Sequence, residues 1–294
     1  MQVHRSMHHL PGIPSPVITV GSFDGVHVGH CFIIDRLNQL ARQHGGASVL
    51  ITFHPHPRQV LYPDGAGKDM KLISPGEEKC LLLEEAGLDH LIILEFTLEF
   101  AQTSSESFLR DTLLNKLHAH TIVVGFNHYF GYNKEGSYAS LYEASKRYGF
   151  QLEEIPEQVI QHESVSSTKI RKALAEGHVQ RANAYLNHHF HIQARFNLDQ
   201  DTTNSFRHFC YKAEISNPNK LIPPTGSYAA SIIISGIEQK GLVRIKDKDV
   251  LLFLLDQQVV LNNQITLLKL LKRLHKLKDR SLQSDLDAIA DLIY

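Results

Sequence analysis

Hydrophobic positions along the first two thirds of the chain switch repeatedly between a two-residue and a 3.6-residue period. Val17–Val20 is a short apolar, partly β-branched run that stops at Gly21, and it predicts a buried strand. Ser22–His30 follows as a glycine-containing turn. Phe32–His44 then places Phe32, Ile33, Leu37 and Leu40 on one helical face. The same reading predicts strands at Ala47–Phe53, Leu91–Phe96, Thr121–Val124 and Leu152–Ile155. It predicts helices at Glu77–Ala86, Ser107–Leu117, Leu141–Tyr148 and from Ser166 to Ala175. Strands alternating with helices imply an α/β fold with a parallel sheet and right-handed crossovers. Ligands of such sheets bind outside the carboxyl ends of the strands. The segments at Gly21, His54 and Gly125 all begin at such ends, so three distant stretches are expected to converge on one crevice.

The pattern changes after about Leu186. Strand-like stretches follow at His191–Asn197, His208–Ile215, Ser227–Ile234, Gly241–Ile245 and Val250–Leu255, with a Pro-Gly turn at Leu221–Gly226 between two of them. Two closing helices are predicted at Ile265–Lys278 and Leu282–Ile293. The second half therefore reads as a small β-barrel-like domain with C-terminal helices. A boundary near residues 183–190 divides the chain into domains 1–186 and 187–294.

Composition narrows the class. Of 294 residues, 43% are hydrophobic and 21% charged, which suits packed cores and argues against disorder. Net charge is −1, so nothing points to nucleic acid as a standing partner. A basic stretch at Lys269–Lys278 is assigned to the solvent side of the first closing helix. No apolar run is long enough to span a bilayer, and Met1–Leu10 has no apolar signal core. The cysteines Cys31, Cys80 and Cys210 are odd in number and widely spaced, which argues against a disulfide framework or a zinc site and suits a cytoplasmic protein. The 19 histidines are scattered, and the pairs His8–His9 and His188–His189 suit a surface better than a metal.

Four segments carry candidate chemistry. The first is Gly21-Ser22-Phe23-Asp24-Gly25-Val26-His27-Val28-Gly29-His30, between a strand and a helix. Its glycines let the backbone approach a phosphate, and the helix N-terminus that follows offers free N–H groups. His27 and His30, three apart, share a face and can stabilise charge on a departing pyrophosphate. The second is Ser166-Ser167-Thr168-Lys169-Ile170-Arg171. Its hydroxyls are N-caps and can also hold a phosphate, which Arg171 can grip by a forked contact. Lys169 either helps or is simply solvated. The third is Phe53-His54-Pro55-His56-Pro57-Arg58, a proline-fixed loop able to seat a planar ring, with Arg58 toward a phosphate. The fourth is Gly125-Phe126-Asn127-His128-Tyr129-Phe130-Gly131, where aromatics beside an amide suit a flavin or adenine.

Together these segments resemble the FAD synthetase module of the bifunctional bacterial riboflavin kinase/FAD synthetase family. The resemblance covers residues 15–186 in order and spacing. The family pattern GxFDGVHxGH stands at Gly21–His30, TFxPHPR at Thr52–Arg58, GxNFxFG at Gly125–Gly131 with His128 where Phe is usual, and SSTxIR at Ser166–Arg171. The resemblance implies a Rossmann-like HxGH nucleotidyltransferase domain that moves AMP from ATP to FMN, giving FAD and pyrophosphate, with Mg²⁺ accompanying ATP. It implies catalytic roles for His27, His30 and Arg171. It implies ATP contacts from Gly21, Ser22, Phe23, Asp24, Gly25, Gly29, Ser166, Ser167 and Thr168. It implies flavin contacts from Phe53, Pro55, His56, Pro57, Arg58 and Asn127. The attacking phosphate is already an anion, so no general base is required.

The second half is similar to the family's riboflavin kinase module in the stretch Leu221–Ala229 and in the tail Leu267–Ile293, but its chemistry is missing. The glycine-rich loop and Pro-Thr-Ala-Asn signature belong near Gln193–Ala213 and are absent. The family's catalytic glutamate aligns near Leu251, which can take no proton. The expectation is an FMN adenylyltransferase with an inactive kinase-like half. Two alternatives are a bifunctional enzyme with a divergent kinase site and a flavin- or nucleotide-binding protein without turnover.

Overall fold

The computed structural model describes the chain except residues 8–9, 126–128, 158, 161–162, 201, 204–208, 248, 256–260, 262, 276–281 and 291–294. It divides into two compact units, Met1–Met70 with Lys79–Ser164, and Lys71–Glu78 with Val165–Tyr294.

The first unit contains β1 (Gln2–His4), β2 (Val17–Val20), α1 (Val28–Gln43), β3 (Ser48–His54), α2 (Pro57–Leu61) and most of α3 (Glu77–Glu85). It continues with β4 (His90–Glu95), α4 (Ser105–Ser107) running into a π-helical stretch at Phe108–Leu114, β5 (Thr121–Gly125), α5 (Tyr138–Tyr148) and β6 (Gln151–Ile155), then a small ribbon of β7 (Val159–Ile160) and β8 (Glu163–Ser164). Strands one to six form one sheet in the order β1-β4-β3-β2-β5-β6, and every pairing is parallel. β2 lies between β3 and β5 with all four side chains buried, which explains its unbroken apolar run.

Alternation along the strands builds two apolar layers. Ile18, Val20, Ile51, Ile92 and Val124 pack with Phe108, Leu113 and Leu141 on one face. Leu50 and Leu91 pack with Ile34, Leu82 and Leu83 of α1 and α3 on the other. Chain order leaves β2 toward β3 on one side and returns to β5 on the other. The carboxyl end of β2 is therefore the point where the winding direction switches.

The second unit holds α6 (Ser167–Ala175), α7 (Val179–Leu186), β9 (Phe190–Leu198), β10 (Cys210–Ile215), β11 (Gly226–Ile234), β12 (Ile237–Lys246), β13 (Asp249–Leu254), β14 (Ile265–His275) and α8 (Leu282–Ala290). Its six strands close an antiparallel barrel in the order β10-β13-β12-β11-β14-β9. The fold class read from the sequence thus holds, but one element is corrected. Ile265–Lys278, expected as a helix, is strand β14 as far as His275. It pairs with both β9 and β11 and so closes the barrel. Leu268 and Leu270 point into the barrel, while Leu271 and Leu274 pack beneath α8. Both faces are therefore apolar, which erased the two-residue alternation and left leucine spacings that fit a helix. With the helix goes its solvated basic face, because Lys269, Lys272 and Arg273 are half-buried on the strand.

The second unit also captures residues 71–78, which lie far upstream in sequence. Leu72 exchanges backbone hydrogen bonds with Asn219 and Leu221. The Lys220 ammonium donates to Glu78 Oε2 at 2.6 Å and to the Ile73 carbonyl at 2.5 Å, with both side chains of the pair buried.

Candidate active site

Gly21 ends β2, and its N–H donates to the Ile51 carbonyl on β3 at 2.9 Å. A Cβ there would sit 2.9 Å from the Phe23 ring, so the position has no room for a side chain. The turn that follows is tightly wound. Phe23, Gly25 and Val26 have φ of 45°, 89° and 39°. Positive φ is cheap for glycine, but costs about 1–3 kcal/mol at each of the other two. Strain of that kind persists only where surrounding contacts over-determine it. Phe23, Asp24, Val26 and His27 are indeed buried.

His27 caps α1 through its backbone, its carbonyl accepting from the N–H groups of His30 (2.7 Å) and Cys31 (3.0 Å). The two imidazoles stack with centroids 3.6 Å apart, and the Phe23 ring lies on His30 at 4.3 Å. Gly29 lets this pair form, since a Cβ there would approach the His27 ring to 3.3 Å. Burial, with the neighbouring His27 and Lys79, holds the His30 imidazole well below its usual pKa. His30 is thus a neutral ring at pH 7, with a buried Nδ1 that has no hydrogen-bond partner among the described residues. Cys31 donates its S–H to the Val26 carbonyl, and burial pushes its thiol up to about 11, which removes it as a nucleophile.

The loop after β3 sits beside this turn, because β2 and β3 are neighbours. Thr52 Oγ1 donates to the Ser22 carbonyl at 3.3 Å. Phe53 packs against Phe96 and Phe100. Pro55 and Arg58 are exposed, and His56 caps α2 by accepting the Arg58 N–H on Nδ1, with Pro57 as the first helical residue. Asn127, which follows β5, lies outside the described residues.

The segment Ser166–Arg171 belongs to the second unit. Ser166 is the N-cap of α6 and its hydroxyl accepts the Lys169 N–H. Ser167 is half-buried and Thr168 exposed. Arg171 Nε donates to the Lys71 carbonyl at 3.1 Å. The capping reading of this motif is thus realised at Ser166.

One residue of the first site went unnoticed in the sequence. Lys79 of α3 is half-buried, and its ammonium donates to the Ser22 carbonyl at 2.7 Å. Burial lowers its pKa, against the pull of Asp24. The available signal was its place three and four residues ahead of the buried Leu82 and Leu83, on the inward side of the helix.

Among the described residues no three His, Cys, Asp or Glu side chains gather to hold a metal. No described helix is long and apolar enough to cross a membrane.

A parallel sheet whose switch point carries a glycine-containing turn into a helix N-terminus defines a nucleotide-binding α/β domain. The family model described as FAD synthetase matches residues 13–169. The chain is 31% identical over 230 residues to the bifunctional riboflavin kinase/FMN adenylyltransferase of Listeria monocytogenes, covering 78% of this chain and 71% of that protein. Proteins of the same description from Haemophilus influenzae and Escherichia coli K12 are 31% and 30% identical, each over 66% of this chain and over 63% and 62% of their own lengths. A solved structure described as a macrolide-efflux protein from Streptococcus pneumoniae shares the fold, with a TM-score of 0.83 at 19% identity, covering 99% of this chain and 96% of that one. The chain belongs to the FAD synthetase family.

Proposed function

We propose that the chain is an FMN adenylyltransferase. An oxygen of the FMN phosphate forms a bond to the α-phosphorus of ATP, the bond from that phosphorus to the bridging oxygen breaks, and its electron pair leaves with pyrophosphate. The observation that carries this reading is the strained, buried Gly21–His30 turn, which presents two stacked imidazoles at the α1 N-terminus. The helix end favours anionic phosphate, and the imidazole N–H groups stabilise charge on the leaving pyrophosphate. Gly21, Ser22, Phe23, Asp24, Gly25 and Gly29 shape that phosphate site. Ser166, Ser167, Thr168 and Arg171 are proposed as further phosphate ligands. Phe53, Pro55, His56, Pro57, Arg58 and Asn127 are proposed to receive the flavin. ATP is taken as its Mg²⁺ complex.

On this reading residues 1–186 are the adenylyltransferase domain, and residues 187–294 a kinase-like domain without kinase activity. Leu251, where the family's glutamate aligns, lies in an apolar cluster with Leu282, Leu286 and Ile289. The protein works on ATP and FMN in the cytoplasm, with neither nucleic acid nor membrane as a partner, and its free cysteines suit that compartment.

The test is to incubate the protein with MgATP and either FMN or riboflavin and separate the flavins by chromatography. FAD is expected from FMN, and riboflavin is expected back unchanged. No FAD from FMN refutes the transferase reading. Conversion of riboflavin to FMN makes the protein bifunctional, as its relatives are described.

A further inference from the structure

The strained turn needs a holder, and its own sequence does not supply one. Two of its left-handed residues are Phe23 and Val26, neither of which favours that conformation. The pivot is Ser22, set between a strand end fixed by the Gly21 hydrogen bond to Ile51 and the first left-handed residue. Its carbonyl receives two donors from other elements, the Lys79 ammonium of α3 at 2.7 Å and the Thr52 hydroxyl of β3 at 3.3 Å. The ammonium also lies 3.4 Å from Thr52 Oγ1. Drawing an ammonium out of water onto a backbone carbonyl is unfavourable unless it is hydrogen-bonded there, so this lysine does something an apolar side chain would not. From the Ser22 carbonyl the constraint runs forward one residue to Phe23, whose ring lies on His30.

We propose that Lys79 is a positioning residue for adenylyl transfer: through the Ser22 carbonyl its buried ammonium fixes the Phe23–Val26 turn, and through the Phe23 ring it sets the orientation of His30. This rests on the adenylyltransferase reading above for its kinetic consequence, though not for its effect on His30 itself. The ammonium has a second effect. It is a fixed cation near an imidazole that also faces His27, and Asp24 is the acidic group near the ammonium. A cation in that place disfavours a proton on His30 and keeps the ring neutral. Removing it raises the His30 pKa.

The test is the series Lys79→Met, Lys79→Gln and Lys79→Arg. A displacement of about 1 Å at a reacting group costs on the order of 10²-fold. The expected result for Lys79→Met is therefore a fall of roughly that size in kcat for FAD formation, with KM for FMN little changed and the acid limb of kcat moved to higher pH. Lys79→Arg keeps the cation, so it holds the acid limb in place and recovers at least about tenfold of the lost kcat. Lys79→Gln keeps a donor for the Ser22 carbonyl without the charge, so it moves the acid limb. If Lys79→Met does not fold, the Gln and Arg variants carry the comparison. An NMR titration of the His30 ring reads the same upward pKa shift without turnover, so it judges the inference even if the wild type makes no FAD. A His30 titration and acid limb unmoved in the uncharged variants would overturn the proposal. So would a Met variant within about threefold of wild-type kcat, or an Arg variant no better than Met.

Discussion

Replacing Lys220 with methionine removes one charge from a buried pair and leaves the other. Lys220 and Glu78 side chains are 1% and 3% exposed, and the ammonium sits 4.1 Å from the centre of the Phe190 ring. Glu78 also accepts the Gln193 N–H at 2.8 Å on Oε1. Its nearest remaining titratable neighbour is His191, at 3.9 Å, and burial with the Lys220 charge lowers that imidazole to about 3. Removing the lysine takes away one of the causes that lower His191, but burial, the largest, remains and keeps that imidazole from carrying the lost charge at neutral pH. Breaking a buried pair from one side costs about 3–5 kcal/mol, and protonation of Glu78 sets the lower end of that range. At roughly 3 °C per kcal/mol, the second unit should lose about 10–15 °C in Tm. The assay is thermal unfolding followed by circular dichroism, with hydrogen exchange at residues 71–78 as the local readout. Adding Glu78→Gln to Lys220→Met removes the stranded charge and should restore about 2 kcal/mol. A Lys220→Met variant within about 1 kcal/mol of wild type, or a double variant with purely additive losses, would refute the reasoning.

His30→Ala should lower kcat for FAD formation on the order of 10²-fold or more while the domain still folds, because the ring faces the cleft and its loss removes only the stacking on His27 and Phe23; steady-state kinetics and a melt check both halves of the claim. His191 titrates at about 3 in the folded chain against about 6.5 when unfolded, so the unfolded state binds the extra proton between those values. Stability from this group is complete above pH 6.5 and falls toward pH 3 by at most about 1.4 kcal/mol per pH unit, and His191→Asn should flatten that part of a Tm-against-pH curve. Asp285 is fully buried and bonded to Ser227 Oγ at 2.6 Å and to His275 Nε2, with Arg244 Nη2 at 3.6 Å. Asp285→Ala should cost about 3–5 kcal/mol in chemical denaturation by removing the buried carboxylate that these groups share, and a loss under about 1 kcal/mol would contradict it.

How far the sequence discloses this molecule depends on whether a feature is local. The first sheet is legible because β2 and β3 are buried on both faces and α1 shows one apolar stripe, patterns that periodicity detects within a few residues. The Gly21–His30 string is legible because its residue types and spacing state a phosphate-binding turn. The left-handed φ of Phe23 and Val26 is not, since neither residue type signals it and the conformation is imposed by burial. Lys79 is hidden for a related reason. A lysine in a helix normally marks solvent, and only its donation to Ser22, 57 residues upstream, gives it a role. The capture of residues 71–78 by the second unit is hidden too, because it rests on a pair 142 residues apart. β14 is misread because its two faces serve two apolar partners, the barrel interior and α8.

That last misreading bears on the proposed loss of kinase chemistry. Odd positions of β13 face α8, where Leu251 and Phe253 join Leu282, Leu286 and Ile289. An ionised carboxylate at 251 would enter an apolar layer, and among the described residues no cluster of metal-binding groups stands there to balance it. A base able to take a proton from a substrate hydroxyl needs a cleft open to that substrate, whereas this face is closed by a helix. Asp285 locks the same helix down through Ser227, His275 and Arg244, on β11, β14 and β12. Leucine at 251 and the carboxylate at 285 therefore act in one direction, sealing α8 onto the barrel wall. These contacts need no catalytic base, so on the adenylyltransferase reading the second unit can persist as a folded body whatever its chemistry.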